Sequence, residues 1–155
     1  MRNITHIVVH CTATPTTATV EAIQRYWHTP KANKQTGATS PYIPNVQGGL
    51  GWKDPGYHYI IDHIGEITKL QDEDKPSNGV AGYNSRLINV AYIGGVDTKG
   101  KPIDNRTLRQ KAALIGMLKE LRSRYPHAII QGHRDFPGVK KACPSFDAKT
   151  EYQNI

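Results

Sequence analysis

The sequence predicts an α/β fold in which a central, mostly mixed β-sheet is flanked by helices. Three observations favour it: short apolar runs rich in β-branched residues, a long amphipathic helical pattern between two of them, and turn residues that separate the segments. The chain has 155 residues, and a chain of this size buries roughly two thirds of the surface that its unfolded form exposes. We therefore expect a single domain over residues 1–155.

The N-terminal part predicts a strand followed by a helix. The run Ile4–Val9 is largely β-branched, which is typical of a buried strand, and it ends at His10. Beyond it, Thr17 or Thr19 is placed to cap a helix that ends before Pro30. The apolar residues of this helix recur at spacings of three and four, at Val20, Ile23 and Trp27.

A long irregular stretch and a hairpin come next. Residues Thr29–Trp52 have no hydrophobic period and contain several glycines and prolines, so we predict a surface loop. Loops of this length are usually functional or disordered. Beyond it, Tyr57–Asp62 and Glu66–Leu70 alternate as the two strands of a hairpin, with a turn around Ile64-Gly65.

Two further strands are predicted in the second half of the chain. A second irregular stretch, Asp72–Asn89, leads into a short buried strand at Val90–Ile93. The other strand covers Ala128–Gln131, and the His133–Cys143 segment is the loop at its end. No repeat or linker divides the chain.

The clearest helix lies between these two strands. Thr107 and Gln110 fit a capping box at its start, and Pro126 stops it. Its apolar face is predicted from residues at spacings of three and four, namely Leu108, Ala112, Ile115, Leu118, Leu121 and Tyr125.

Composition narrows the class of protein. Hydrophobic residues make up 37% and charged residues 21% of the chain, which is ordinary for a soluble globular protein. No apolar run reaches the roughly 20 residues of a membrane span, and Ile4–Val9, interrupted by His6, is too short for a signal-peptide core. We expect cytoplasmic synthesis without a signal peptide. Two cysteines in such a chain argue against a disulfide framework.

The formal net charge of +7 favours an anionic partner. The lysines and arginines are spread along the chain, however, and no aromatic-basic motif of a nucleic-acid-binding protein accompanies them. A charged polymer such as a bacterial wall is an equally good partner.

Three residues near strand ends predict a metal site. His10 ends the first strand, His133 begins the loop after the last one, and Cys143 follows ten residues later. Two imidazoles and a thiolate suit a catalytic Zn²⁺, whose fourth position is left to water. Lys141 lies two residues before Cys143, where its positive charge could stabilise a negative charge that develops during a reaction. Cys11 is more typical of a small buried core residue than of a ligand.

Other interpretations of these residues were weighed. Three residues of common ligand type can coincide, and five other histidines without such a constellation are expected in packing or at the surface: His6, His28, His58, His63 and His127. No His-Glu-x-x-His helix is present, which excludes a thermolysin-like zincin. His133-Arg134-Asp135 also occurs in protein kinases, but Lys140 stands where a kinase has Asn, and the other kinase motifs are missing.

Taken together, the motifs resemble the zinc-dependent N-acetylmuramoyl-L-alanine amidases of the phage-lysozyme and peptidoglycan-recognition-protein type. The resemblance covers almost the whole chain and depends on several motifs in order. They are His10-Cys11-Thr12-Ala13-Thr14, Arg25-Tyr26-Trp27-His28, Gly56-Tyr57-His58-Tyr59-Ile60-Ile61, Gly82-Tyr83-Asn84, Ile93-Gly94-Gly95, Gly132-His133-Arg134-Asp135 and Lys141-Ala142-Cys143-Pro144-Ser145-Phe146.

The resemblance implies hydrolysis of the amide between N-acetylmuramic acid and L-alanine in peptidoglycan, on an amidase-like α/β fold. His10, His133 and Cys143 match the zinc ligands of that family. Tyr57 matches the tyrosine thought to position or deprotonate the zinc water, and Lys141 the residue thought to stabilise the oxyanion. Zinc lowers the pKa of bound water to about 7, and a nearby cation stabilises the tetrahedral oxygen.

Simpler roles remain open for some of these residues. Tyr57 lies in a strand of alternating aromatics and would otherwise be a core or cross-strand residue. Lys141, next to Lys140, would usually be a solvated loop charge. Asp135 either orients a ligand histidine or caps a turn.

Two departures from the family concern substrate recognition. The Thr29–Trp52 loop is much shorter in many relatives, and we predict that it extends over the cleft and tunes which stem peptide is accepted. A substrate-contacting histidine often found just before the Gly-Tyr-Asn motif is missing, because the chain has Gly79-Val80-Ala81 there.

The first functional prediction is a lytic amidase of phage or prophage type that acts on the cell wall after its release. Its partner is peptidoglycan or a muropeptide, with no nucleic acid, and we expect a monomer. The alternatives are a cytosolic amidase that recycles wall fragments, a non-catalytic peptidoglycan-binding module and, more weakly, the polymerase-inhibiting role of some phage relatives. The joint presence of Cys143, Tyr57 and Lys141 argues against the binding module.

Overall fold

A five-stranded mixed sheet lies at the centre of the computed structural model, which describes residues 2–30 and 48–155. Its strand order is β3-β2-β4-β1-β5. β4 lies parallel to β1 and β2, β1 is also parallel to β5, and β3 is antiparallel to β2. The strands are β1 His6–Cys11, β2 Tyr59–Ile61, β3 Ile67–Lys69, β4 Leu87–Tyr92 and β5 Ile129–Gly132.

Three helices cover the two faces of this sheet: α1 Val20–His28, α2 Leu108–Arg124 and the short α3 Ala148–Glu151. Apolar residues of α2 and α3 pack with one set of strand residues, and α1 packs through Ile23 and Trp27 with another. Both faces of the parallel strands are therefore buried, which explains their continuous apolar runs. The predicted α/β class with flanking helices is confirmed.

The predicted strands and first helix are present, with shifted bounds. β1 runs from His6 to Cys11 rather than over Ile4–Val9, because the parallel register continues through His10 opposite Ala91. β4 begins at Leu87, three residues before the predicted strand. The hairpin forms as predicted, and Gly65 in its turn has a φ of +86°.

The first helix begins after Thr19, whose hydroxyl accepts a hydrogen bond from the Ala22 N–H. Its C-terminus is joined to residues 48–52 by backbone hydrogen bonds, including one from the Gly49 N–H to the Pro30 carbonyl. The rest of the predicted Thr29–Trp52 loop, residues 31–47, lies outside the described residues, as does its predicted extension over the cleft.

The predicted apolar face of α2 is partly wrong. The capping box between Thr107 and Gln110 is present, but Leu108 is 84% exposed and Ile115 39% exposed. The buried residues are Gln110, Leu114, Met117, Leu118 and Leu121. Gln110 is buried because its side-chain amide donates hydrogen bonds to the carbonyls of Ile61 and Ile93, which rotates the buried stripe away from Leu108. Within the described residues, no helix has the length and apolar character to cross a membrane.

Arg106 holds the C-terminal segment against the start of α2. Its guanidinium, 1% exposed, forms ion pairs of 2.9 Å with Asp104 and 2.8 Å with Glu151. It also donates a hydrogen bond to the Tyr152 hydroxyl and lies 3.4 Å from the ring centroid of Phe146. Burial opposes the charge, but the two carboxylates outweigh it and raise the pKa of Arg106, so the cation is fully retained.

We predict that Arg106→Ala lowers the free energy of unfolding by about 2–4 kcal/mol, because it removes a buried cation that pairs with two carboxylates and bonds a buried phenol. The measurement is urea unfolding followed by circular dichroism. Arg109→Ala, which replaces an exposed arginine three residues later in the first turn of α2, serves as the control, with an expected change within about 0.5 kcal/mol. Equal losses of unfolding free energy in the two variants would contradict a specific stabilising role of Arg106.

Candidate metal centre and active site

Three potential ligands converge where the parallel strands end. His10 is the penultimate residue of β1, His133 directly follows β5, and Cys143 lies on the loop that returns past β1. One donor atom from each lies within 4.8 Å of the others. The His10 Nδ1 and Cys143 Sγ atoms are 3.7 Å apart, and the two imidazole centroids 5.0 Å. In the part of the chain that the structure describes, no other three His, Cys, Asp or Glu side chains form such a group.

The two imidazoles are held in the neutral form that binds metals. His10 is 1% exposed, and this burial, with a smaller effect of His133, lowers the pKa of His10 to about 3. Burial also lowers the pKa of His133. Two nitrogen donors and one sulfur donor at this separation fit a zinc ion.

Cys143 supplies the sulfur donor. Its Sγ accepts a hydrogen bond from the backbone N–H of Cys11 at 3.2 Å, an interaction that favours a thiolate. Without a metal, the hydrogen bond with the Cys11 thiol, together with burial, raises the pKa of Cys143. Metal binding must therefore displace a proton from this thiol.

Cys11 itself is a small buried core residue, as predicted. It is 4% exposed and packs in the cluster between the sheet and α2. Gly95 leaves the space for it, since a Cβ at that position would lie 2.4 Å from the Cys11 Sγ. Cys11 is thus not one of the three potential metal ligands; it supports them through the hydrogen bond from its backbone N–H to the Cys143 Sγ.

A groove of about 720 Å³ opens above these donors. Tyr57 lies on its wall, with its ring 5.0 Å from that of His10 and in a T-shaped contact, 5.4 Å between centroids, with Trp27. The Tyr57 hydroxyl donates a hydrogen bond to the Cys11 carbonyl at 3.3 Å. The side chain is therefore fixed at the groove beside a donor histidine, although sequence periodicity alone assigned it to the core.

Lys141 also lines the groove and is exposed. Its positive charge contributes to lowering the pKa of both His10 and His133, so it acts electrostatically on the donor group. The solvated-charge alternative is thus too simple: the ammonium is solvated, and it faces the site.

Asp135 caps a turn, which is one of the two roles predicted for it. A carboxylate oxygen accepts a hydrogen bond from the Gly132 N–H at 2.8 Å, which caps the turn that carries His133. The segment Gly79–Ala81, where a family histidine is missing, lines the groove with small side chains.

A buried chain of polar side chains, which no motif in the sequence indicates, extends from His10 into the protein. The His10 Nε2 lies 2.8 Å from the Asn89 Oδ1, and the Asn89 Nδ2 lies 2.8 Å from the Ser77 Oγ. The Ser77 Oγ in turn lies 3.1 Å from the His58 Nδ1. Burial lowers the pKa of His58 to about 4, so it is neutral at pH 7.

One signal in the sequence could have indicated this chain. Asn89 interrupts a strand whose other residues, Leu87–Tyr92, are all apolar. A polar side chain at the centre of a parallel strand is buried and needs a partner. The predicted strand began after Asn89, so this signal was assigned to a loop.

Comparisons with known proteins identify the family and agree with the fold. Residues 1–146 match the family model described as N-acetylmuramoyl-L-alanine amidase. The endolysin of Enterobacteria phage K11 is 40% identical over 139 residues, covering 90% of this chain and 79% of its own. The endolysin of Klebsiella phage KP32 is 38% identical, covering 92% and 82%.

Solved structures share the fold at lower sequence identity. The Ph2119 endolysin from Thermus scotoductus MAT2119 bacteriophage Ph2119 is 23% identical, with a TM-score of 0.68 over 93% of this chain and 79% of its own. A complex of peptidoglycan recognition proteins LCa and LCx with tracheal cytotoxin gives 18% identity and a TM-score of 0.69, covering 99% and 83%. The family model and the phage relatives together show that the chain belongs to the N-acetylmuramoyl-L-alanine amidase family.

Proposed function

We propose that this protein is a zinc-dependent N-acetylmuramoyl-L-alanine amidase of the phage lytic type, with residues 1–155 as one catalytic domain. It cleaves the amide that joins N-acetylmuramic acid to the first alanine of the stem peptide. The observation that carries this proposal is the convergence of His10, His133 and Cys143 at a groove whose wall presents Tyr57 and Lys141.

In this proposal, His10, His133 and Cys143 hold the zinc ion. A bound zinc supplies Lewis acidity, which lowers the pKa of a water to about 7 and makes it nucleophilic at neutral pH. The burial that keeps His10 neutral supports its role as ligand, since a protonated imidazole has no lone pair for a metal. The Cys11 N–H supports Cys143 by stabilising the charge on its sulfur.

Tyr57 orients the attacking water and relays its proton: the phenol oxygen takes the proton from the water as the phenol gives its own proton to the departing amine. The support is geometric: the phenol is tied to the Cys11 carbonyl and flanked by the rings of Trp27 and His10, so its hydroxyl has a fixed place beside the donor group. A fixed acid–base group contributes about 10²–10⁴-fold to the rate.

Lys141 stabilises the negative charge that develops on the amide oxygen in the tetrahedral transition state. Its ammonium lines the groove and already influences both imidazoles electrostatically. A cation that is in place before the reaction needs no reorganisation when the charge forms.

The substrate class follows from the groove and the charge of the chain. Trp27 and Trp52 give one part of the groove an aromatic lining, which suits the apolar faces of a sugar or a peptide. The net charge of +7 favours an anionic wall polymer as the partner. The phage endolysin relatives support action at the cell wall after release, and the tracheal-cytotoxin complex supports a peptidoglycan fragment as the ligand of this fold.

Zinc dependence is tested with purified peptidoglycan. We expect mass spectrometry to show free stem peptides after incubation, their release to stop with a chelator, and zinc to restore it. His133→Ala should lose both the equimolar zinc measured by atomic absorption and the activity, because one of three ligands is gone.

The matched control is His63→Ala, an exposed histidine outside the donor group. It should retain zinc and activity. Release of stem peptides by metal-free protein, or equal zinc binding by wild type and His133→Ala, would refute the zinc mechanism. Binding to peptidoglycan without any cleavage would indicate a binding module.

We predict that Lys141→Ala lowers kcat by about 10²–10³-fold with zinc content unchanged, because one stabilising group for the transition state is removed. The neighbouring exposed lysine provides the control, because Lys140→Ala removes the same charge from the same groove lining and keeps Lys141, the cation that acts on His133. Its kcat should change little. Equal losses in the two variants would mean that Lys141 acts only through the net charge of the loop.

We predict that Tyr57→Phe lowers kcat by about 10²-fold, because the ring contacts are kept and only the hydroxyl is lost. Stem-peptide release is measured under saturating peptidoglycan. Tyr26→Phe, in the helix next to the same apolar cluster, controls for the loss of a phenol elsewhere. A kcat of wild-type size in Tyr57→Phe would exclude the hydroxyl from the proton transfer.

A further inference from the structure

We propose that Asn89 is a positioning residue for the metal centre, and that Ser77 and His58 set the direction of its side-chain amide. Asn89 would then determine which nitrogen of His10 is offered to the metal. The inference rests on the zinc site proposed above, but it concerns protons in the metal-free protein and can be tested there.

The starting point is His58, whose two ring nitrogens face backbone groups. Its Nδ1 lies 3.0 Å from the backbone N–H of Asn89, which can only donate. Its Nε2 lies 2.7 Å from the Lys75 carbonyl, which can only accept. An Arg2 guanidinium nitrogen, which can only donate, also lies near Nε2, but at 3.4 Å this contact is longer and weaker than the one with the carbonyl. The proton of the neutral imidazole must therefore be on Nε2, and Nδ1 is an acceptor. Backbone groups cannot exchange these roles, so this end of the chain is fixed.

Ser77 carries the direction to Asn89. Its hydroxyl, 3.1 Å from the unprotonated His58 Nδ1, can only donate to it, and it shares the lone pair of that nitrogen with the Asn89 backbone N–H in a three-centre hydrogen bond. The Ser77 oxygen then accepts from the Asn89 Nδ2 at 2.8 Å. The amide of Asn89 thus has its NH₂ towards Ser77 and its oxygen on the opposite side.

The oxygen of this amide defines the tautomer of His10. The Asn89 Oδ1 lies 2.8 Å from the His10 Nε2 and can only accept, so Nε2 carries the proton. The lone pair is then on Nδ1, the nitrogen 3.7 Å from the Cys143 Sγ. A reversed amide would favour a proton on Nδ1, and that nitrogen could not bind a metal.

Burial makes this order of donors and acceptors costly to reverse. The four side chains are each at most 1% exposed: His10, His58, Ser77 and Asn89. An unpaired polar group without access to water costs more than a hydrogen bond contributes, so a mismatch anywhere in the chain is unfavourable. Gly79 allows the covering segment to pack closely, since a Cβ there would lie 2.3 Å from the Asn89 side chain.

Partners of metal-bound histidines typically affect metal affinity by about 10–100-fold, because they fix the ring and its tautomer. Most such partners are carboxylates or backbone carbonyls. A neutral amide has an NH₂ group that donates and an oxygen that accepts, so other residues must determine which of the two faces the histidine. Ser77 and His58 determine it in this protein.

The first measurement is NMR of metal-free protein with ¹⁵N-labelled histidine near neutral pH, where couplings to the ring protons distinguish a protonated Nε2 from a protonated Nδ1. We expect His10 and His58 both to carry the proton on Nε2. A His10 ring protonated mainly on Nδ1 would overturn the proposal.

The second measurement is zinc affinity, determined by chelator competition, in Asn89→Leu and Ser77→Ala. Asn89→Leu should lose about 10–100-fold in affinity and show a mixture of His10 tautomers. Ser77→Ala, the milder change, should shift both readouts in the same direction by a smaller amount, and it provides the test if Asn89→Leu does not fold.

Gln110→Leu is the matched control, because it removes another fully buried amide that contacts none of the three donors. It should lower stability without changing zinc affinity or the His10 tautomer. An equal loss of affinity in Gln110→Leu, or wild-type affinity and tautomer in both test variants, would refute the role of Asn89. Failure of the wild-type protein to bind zinc would instead refute the proposed function, and the NMR result would still decide the tautomer.

Discussion

The parallel pairing of β1 with both β4 and β5 is the constraint on which the site depends. Parallel strands end at the same edge of a sheet, so the pairing brings together His10 on β1 and His133 after β5. The two histidines are 123 residues apart in the sequence (133 − 10). The same pairing places Asn89 of β4 beside His10. The loop that carries Cys143 is held to this edge by the hydrogen bond from the Arg134 N–H to the Cys143 carbonyl.

The site combines neutral donors with an external cation. Burial keeps His10 and His58 uncharged, and the positive charge of Lys141 acts in the same direction on the two donor imidazoles. The cost of burying charge is thus avoided among these imidazoles, and the positive charge of Lys141 lies at the exposed side of the groove. In the mechanism proposed above, the sheet side of the site sets the proton positions and the groove side stabilises the developing charge.

The sequence predicts most strands and helices and the grouping of His10, His133 and Cys143, because each of these depends on a local sequence pattern. β-branched runs, a capping box and ligand-type residues at strand ends are visible without coordinates. The face of α2 was misassigned because two helical stripes of similar spacing exist, and only the contacts of Gln110 with Ile61 and Ile93 select the buried one. The chain from His10 to His58 was missed because its partners come from separate strands and a loop, so no periodicity connects them.

The short segment that returns to α1 bears on how this fold accommodates variation. The Gly49 N–H donates a hydrogen bond to the Pro30 carbonyl, and the Leu50 and Trp52 N–H groups donate to carbonyls of α1. The approach is close, since a Cβ on Gly49 would lie 2.2 Å from the Tyr26 carbonyl oxygen. The two ends of the intervening sequence are therefore joined by the framework itself. For a flexible segment joined to two such ends, each doubling of its length adds only about 0.6 kcal/mol of closure entropy. Inserts of very different length can be exchanged between Pro30 and Gly48 at little thermodynamic cost, which makes this a natural grafting point for new recognition segments next to an unchanged catalytic centre.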